Sequence, residues 1–100
     1  MTTVRTTSTR VNYAANEPHG LALAANAARA GLVVTNVTGT TCYLLFGTDD
    51  ASDERFTYAL GPGDVLEMTN GVVYDGAITY GWANATNGFL MVSEWLRVEA

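Results

Sequence analysis

Lysine is absent from this 100-residue chain, which also has one cysteine, one histidine and two prolines. The positive charges are five arginines, Arg5, Arg10, Arg29, Arg55 and Arg97, scattered singly along a chain of net charge -5. No basic stripe follows a phosphate backbone, so nucleic-acid binding is disfavoured. In a β protein the missing lysines also remove one common guard of exposed sheet edges, which leaves another subunit as a candidate guard. Cys42 alone permits neither an intrachain disulfide nor a zinc cluster. In its apolar run beside Tyr43 it reads as a small buried side chain rather than a reactive thiol. His19 lies in a Pro-Gly loop two residues after Glu17, with no second histidine for a metal pair and no nucleophile elbow in the sequence. No P-loop or dinucleotide fingerprint occurs. The expectation is therefore no catalytic residue, no metal and no cofactor. The opening Met-Thr-Thr-Val-Arg carries no apolar h-region, and no window reaches the ~20 apolar residues of a membrane span. A soluble chain made in a reducing cytoplasm is expected, with no membrane partner.

What fills the chain is a series of short apolar runs closed by turn residues. They are Gly31–Asn36, Cys42–Phe46, Phe56–Leu60, Asp64–Met68, Ala77–Ala83 and Phe89–Val98. The separators are rich in Gly, Asn, Asp, Ser, Thr and Pro, which accept turn geometry. Spacing of this kind predicts an all-β sandwich or a small barrel. Hydrophobic residues make up 48% and charged ones 15%, too apolar for disorder and short of charge to cover both sheet faces. Burial of one face against a partner follows. One hundred residues suffice for one domain. Residues 1–20 read as an extended N-terminal arm or edge segment, Thr-rich with alternating Val4, Thr6, Ser8 and Arg10, and residues 21–100 as the domain.

Within the runs, Phe56, Tyr58 and Leu60 share one face of a period-2 strand, as do Ile78, Tyr80 and Trp82. Gly61-Pro62-Gly63-Asp64 predicts a tight turn, and Asn70-Gly71 and Asn87-Gly88 predict type I′ hairpins. The final run has Leu90, Val92, Leu96 and Val98 on one face, interrupted by Glu94. Phe89, Met91, Ser93, Trp95 and Arg97 line the other, so both faces are expected to be covered, the second by another protomer. Leu21–Ala30 is the ambiguous segment. Its alanines and leucines favour a helix capped by Gly31, yet it lacks a sustained amphipathic face, and Asn26 disfavours a helix interior.

Two groups of carboxylates invite a chemical reading. Asp49-Asp50-Ala-Ser-Asp53-Glu54 offers hard oxygen ligands, but it lacks the spacing of an EF-hand and reads better as a solvated turn. Glu67 and Glu94 lie inside strands, where they serve as an acid–base pair only if they face one cavity. Pairing with an arginine such as Arg29 or Arg55 is the plainer role. Tyr43, Tyr58, Tyr74, Tyr80, Trp82 and Trp95 can stack on sugar rings, although strand aromatics more often anchor cores and interfaces.

Read in order, several landmarks carry a resemblance: Ala25-Asn26-Ala-Ala-Arg29-Ala-Gly31-Leu32-Val-Val-Thr-Asn36, Tyr43-Leu-Leu-Phe-Gly47, Leu60-Gly-Pro-Gly63, Glu67-Met68, Tyr74-Asp-Gly76-Ala-Ile78 and Val92-Ser-Glu94. From Leu21 to Trp95 the chain resembles small virion proteins of tailed bacteriophages, the β-sandwich or jelly-roll-like proteins that decorate or cement capsids, and related fibre modules. The resemblance implies a small antiparallel, jelly-roll-like β-sandwich of about seven to eight strands. It also implies that Ala25–Arg29 is a turn between strands. The function it implies is that of a non-enzymatic capsid decoration or cement protein on the virion surface, a homotrimer bound to the major capsid protein. Val4, Arg5, Tyr43, Tyr74, Trp82 and Trp95 are then the expected interface residues. The alternatives are a fibre, tail or baseplate module and a carbohydrate-binding β-sandwich module.

Overall fold

The computed structural model describes residues 2–69 and 73–99. Among these the chain forms eight strands and no helix: β1 (Thr2–Asn12), β2 (His19–Leu23), β3 (Arg29–Thr38), β4 (Cys42–Phe46), β5 (Tyr58–Leu60), β6 (Val65–Met68), β7 (Ile78–Trp82) and β8 (Gly88–Glu99). They make two four-stranded antiparallel sheets, ordered β1-β8-β3-β6 and β2-β7-β4-β5. Strand 1 thus pairs with 8, 2 with 7, 3 with 6 and 4 with 5. A long hairpin rolled on itself produces that order, and it defines a jelly-roll sandwich.

The core fills the space between the sheets. Leu32, Val34, Leu90 and Val92 of the first sheet meet Cys42, Leu44, Ile78, Tyr80 and Trp82 of the second. Period-2 alternation explains the choice of residues: on β8, Leu90, Val92 and Leu96 are buried while their odd-numbered neighbours face outward. β7 departs from that pattern, because all five of its residues are buried. Its outward Thr79 and Gly81 lie beneath the 47–57 segment, whose Ala51 is 3% exposed. Thr79 Oγ1 donates to the Asp49 carbonyl at 2.6 Å, and a Cβ on Gly81 would collide with the Ala51 carbonyl. The acidic segment therefore has two sides. Its carboxylates are in water, and its backbone roofs the second sheet.

The segment from Leu21 to Ala30 resolves into the end of β2, a turn, and the start of β3. Asn26 forms that turn. Its side-chain oxygen accepts from the Ala28 N–H at 3.0 Å and its carbonyl from the Arg29 N–H at 3.0 Å. Local side chain-to-backbone bonding of this kind outcompetes the helix that alanine content favours. Immediately afterwards the β3–β8 register slips: Arg29 faces Leu96 and Gly31 faces Trp95, so Ala30 is an extra residue. This bulge reverses the alternation and turns Arg29 toward the interior, where its side chain is fully buried.

Two expected features need correction. Phe56–Leu60 was expected to be one strand, but only Tyr58–Leu60 pairs, and Phe56 instead packs on Tyr43 with ring centroids 5.1 Å apart. Asn87-Gly88 is no hairpin turn, because β7 and β8 belong to different sheets and residues 83–87 carry the chain across. Gly88 does take the positive φ (115°) that the pair suggested. Asn70-Gly71 lies outside the described residues. The Gly61–Asp64 turn has the expected form, with Pro62 second, Gly63 third at φ 81°, and the Asp64 N–H donating to the Gly61 carbonyl at 3.0 Å.

Candidate functional site

The described residues form no pocket. The two strand glutamates also lie apart. Glu67 faces Val33 and Glu94 faces Leu32. Directly opposed residues share a face of the sheet and neighbours in sequence do not, so the two carboxylates project to opposite sides and cannot act as an acid–base pair on one substrate. Glu94 has another partner, the Nε of Arg29 at 2.8 Å. The same guanidinium donates to the carbonyls of Tyr74 (2.8 Å), Gly76 (3.0 Å) and Ala24 (2.7 Å). A buried charge requires such pairing, and here it ties the 24–29 turn, the 74–76 loop and β8 together.

Toward the other end of β3, Asn36 is completely buried. Its amide nitrogen lies 2.8 Å from the Thr40 and Leu60 carbonyls and 3.2 Å from that of Gly61, and its oxygen accepts from the Thr38 N–H at 3.1 Å. The backbone of Asn36 bonds to Asp64 and Gly63 as well. Arg29 and Asn36 are thus structural hubs that fix the loops at two places along the sandwich.

Cys42 is fully buried, and burial pushes its thiol up to about 12, partly offset by the Gly81 backbone. Burial also raises Tyr80, with the negative charges of Glu17 and Cys42 adding to the effect. Both groups keep their protons longer in the folded chain than in the unfolded one. Their contribution to stability is therefore complete below pH 9, the ordinary thiol value, and is lost as pH rises toward 12. Thermal melts should hold level from pH 7 to pH 9 and fall steeply above. No thiolate absorbance should develop at pH 10 before unfolding, and a level melting temperature to pH 11.5 would contradict this account.

The surface left for recognition is the outer face of the first sheet. Cross-strand register gives its rows: Val4–Arg97, then Thr6–Trp95–Gly31, then Ser8–Ser93–Val33–Glu67, then Arg10–Met91–Thr35–Val65, then Asn12–Phe89–Val37. Val4, Val65 and Val37 are 59%, 53% and 45% exposed, and no segment among the described residues roofs them as residues 47–57 roof the second sheet. Arg10 lies over the Phe89 ring at 3.9 Å, and the Trp95 indole occupies the space above Gly31, where any Cβ would collide with it.

The six expected interface residues are dispersed. Val4 and Trp95 share this open face, while Arg5 is on β1 but faces Leu96 on the other side. Tyr43 is on the outer side of the second sheet under Phe56, and Tyr74 stacks on Phe46 with centroids 4.2 Å apart. Trp82, expected at an interface, is instead a core residue, 6% exposed and edge-on to Tyr13 and Tyr80. Val37, Val65 and Arg10 complete the open face. Of its members the β8 alternation Phe89, Met91, Trp95 was legible beforehand. The contributions of β3 and β6 needed the strand order.

The sequence matches no family model, and neither a curated protein nor a solved structure is significantly similar to it. The class defined by the coordinates is a jelly-roll sandwich with one roofed and one open sheet.

Proposed function

We propose that this protein is a structural component of a bacteriophage particle, a capsid decoration or cement protein that assembles with itself and binds the shell through the outer face of the β1-β8-β3-β6 sheet. One observation carries the reading: one sheet is roofed by the chain's own loop, while the other leaves valines and half-buried Met91, Phe89 and Trp95 unroofed beside a bare edge strand. An apolar face with a polar rim is the ordinary form of an interaction surface. The resemblance of the ordered landmarks to those of phage virion proteins suggests the setting. A trimer attached at several points would convert weak contacts into firm ones by effective concentration. The net charge of -5 keeps such particles soluble.

The sugar-binding alternative loses most of its platforms, since Trp82 and Tyr80 are buried, Tyr43 lies against Phe56 and Tyr74 stacks on Phe46. Light scattering on the eluting protein is expected to give three chain masses. Val37→Lys combined with Val65→Lys, both at exposed sites, should return the monomer with an unchanged far-UV spectrum. Antibody labelling of intact particles should then cover the whole head; label at a single vertex or on the tail would favour a fibre or baseplate module. A monomeric chain with no affinity for capsids would overturn the proposal.

A further inference from the structure

β1 is held in an unusual way. Residues 4–10 are all exposed, on both faces of the strand. Its packing is along β8 and hardly elsewhere. Apart from the backbone ladder from Thr2–Glu99 to Asn12–Phe89, the side-chain ties are Ser8 to Ser93 at 2.8 Å and Arg10 over Phe89. The chain becomes anchored only at Val11, which packs on the core, and at Tyr13, whose N–H donates to the Gly88 carbonyl at 3.0 Å and whose ring meets Trp82. A strand that gives the core so little can leave without opening it.

We infer that β1 is an exchangeable arm: residues 2–10 leave the edge of their own β8 and pair, in the same register, with β8 of a second copy. Among the described residues, the ties that hold the arm are made to β8, so a neighbour's β8 offers an identical set. Exchange then loses no pairing and adds whatever surface the two bodies bury, which is why swapping is an inexpensive route to oligomers. The reach suffices. Nine extended residues span roughly 30 Å at ~3.3 Å each. The molecule measures 46 × 22 × 22 Å, so the arm exceeds its width. No lysine or proline stands in β1 to discourage pairing with another chain. This inference rests on the self-assembly proposed above and deepens it by naming the contact.

Ser8 and Ser93 lie directly opposite one another, and the native Cys42 is buried, so new cysteines at the two sites report on each other alone. Ser8→Cys and Ser93→Cys are made in separate full-length chains, unfolded together, refolded as an equimolar mixture and oxidised. A disulfide between Cys-bearing sites of different chains gives a band of twice the chain mass on a non-reducing denaturing gel, absent from either variant alone. That band, with light scattering above one chain mass, is the expected result. An oligomer without the band overturns exchange and leaves self-assembly standing. A monomer without the band overturns both. If the cysteine variants fail to refold, Thr6→Pro with Thr7→Pro serves instead. Successive N–H groups point to opposite sides of a strand, so one of the two prolines removes a donor facing β8. Loss of the oligomer with the β spectrum retained agrees with exchange, and an oligomer that persists overturns it.

Discussion

Arg29→Ala should be the most damaging single substitution in the chain. It removes a guanidinium whose side chain is fully buried and leaves Glu94 unpaired, together with the carbonyls of Ala24, Tyr74 and Gly76. Breaking one side of a buried ion pair costs about 3–5 kcal/mol, because the surviving charge stays desolvated. Domains of this size have only about 5–15 kcal/mol in total, so the variant should melt at least ~12 °C lower or fail to accumulate folded. Calorimetry measures the shift directly. Arg29→Met with Glu94→Gln should recover part of the loss, since no charge is then stranded, while the three carbonyls remain orphaned. If Arg29→Ala melts within ~3 °C of the native chain, the hub is not structural and the account of the bulge fails with it.

Asn36→Leu should be nearly as costly, for a reason that has nothing to do with volume. Leucine takes the side-chain partner from the buried Leu60 carbonyl and the Thr38 N–H, while the Gly61 and Thr40 carbonyls keep the Asp64 N–H and the Thr38 hydroxyl. Each buried polar group stranded in this way costs about 1–3 kcal/mol, less whatever water can recover. A net loss of roughly 3 kcal/mol in denaturant unfolding is expected. Hydrogen exchange gives a local check: the Thr38 amide should lose protection before the amides of Leu44 and Tyr80, which lie away from the hub. Loss of protection spread evenly over the sandwich would argue that Asn36 has no special role.

Much of this fold could be read from the chain, because alternation and turn residues act locally. Cys42–Phe46 and Ala77–Ala83 each contain the strand found there, and Gly31–Asn36 and Phe89–Val98 lie inside longer strands. Even the interruption of β8 by Glu94 had a visible cause, an arginine that needed a partner. The misses have a common origin in connections between sheets. Asn87-Gly88 announces a turn, but nothing in two residues tells whether the next strand pairs with the last or crosses to the other sheet. Trp82 lies with Ile78 and Tyr80 on the inner face of β7, edge-on to Tyr13 and Tyr80, and so serves the core rather than an interface. The outer face of β7 is covered too, because the 47–57 segment folds back over Thr79 and Gly81, a long-range event with no local signature. Asn36 is the clearest case. At the end of an apolar run an asparagine reads as a turn residue, and only the approach of the Leu60–Gly61 backbone turns it into a buried hub. The open face was half legible for the same reason: its β8 stripe is contiguous in sequence, and its valines on β3 and β6 are brought alongside by topology.

The extra residue at Ala30 has a consequence for anyone who edits this strand. Inward and outward positions before and after it obey different parities, so β3 cannot be lengthened, shortened or grafted as a uniform repeating unit. Removing Ala30 would leave Arg29 opposite Leu96 and still inward, whereas regularising the ladder with Ala30 kept would set the alanine opposite Leu96 and point the guanidinium at water. Counting is thus as much a part of this protein's specification as composition.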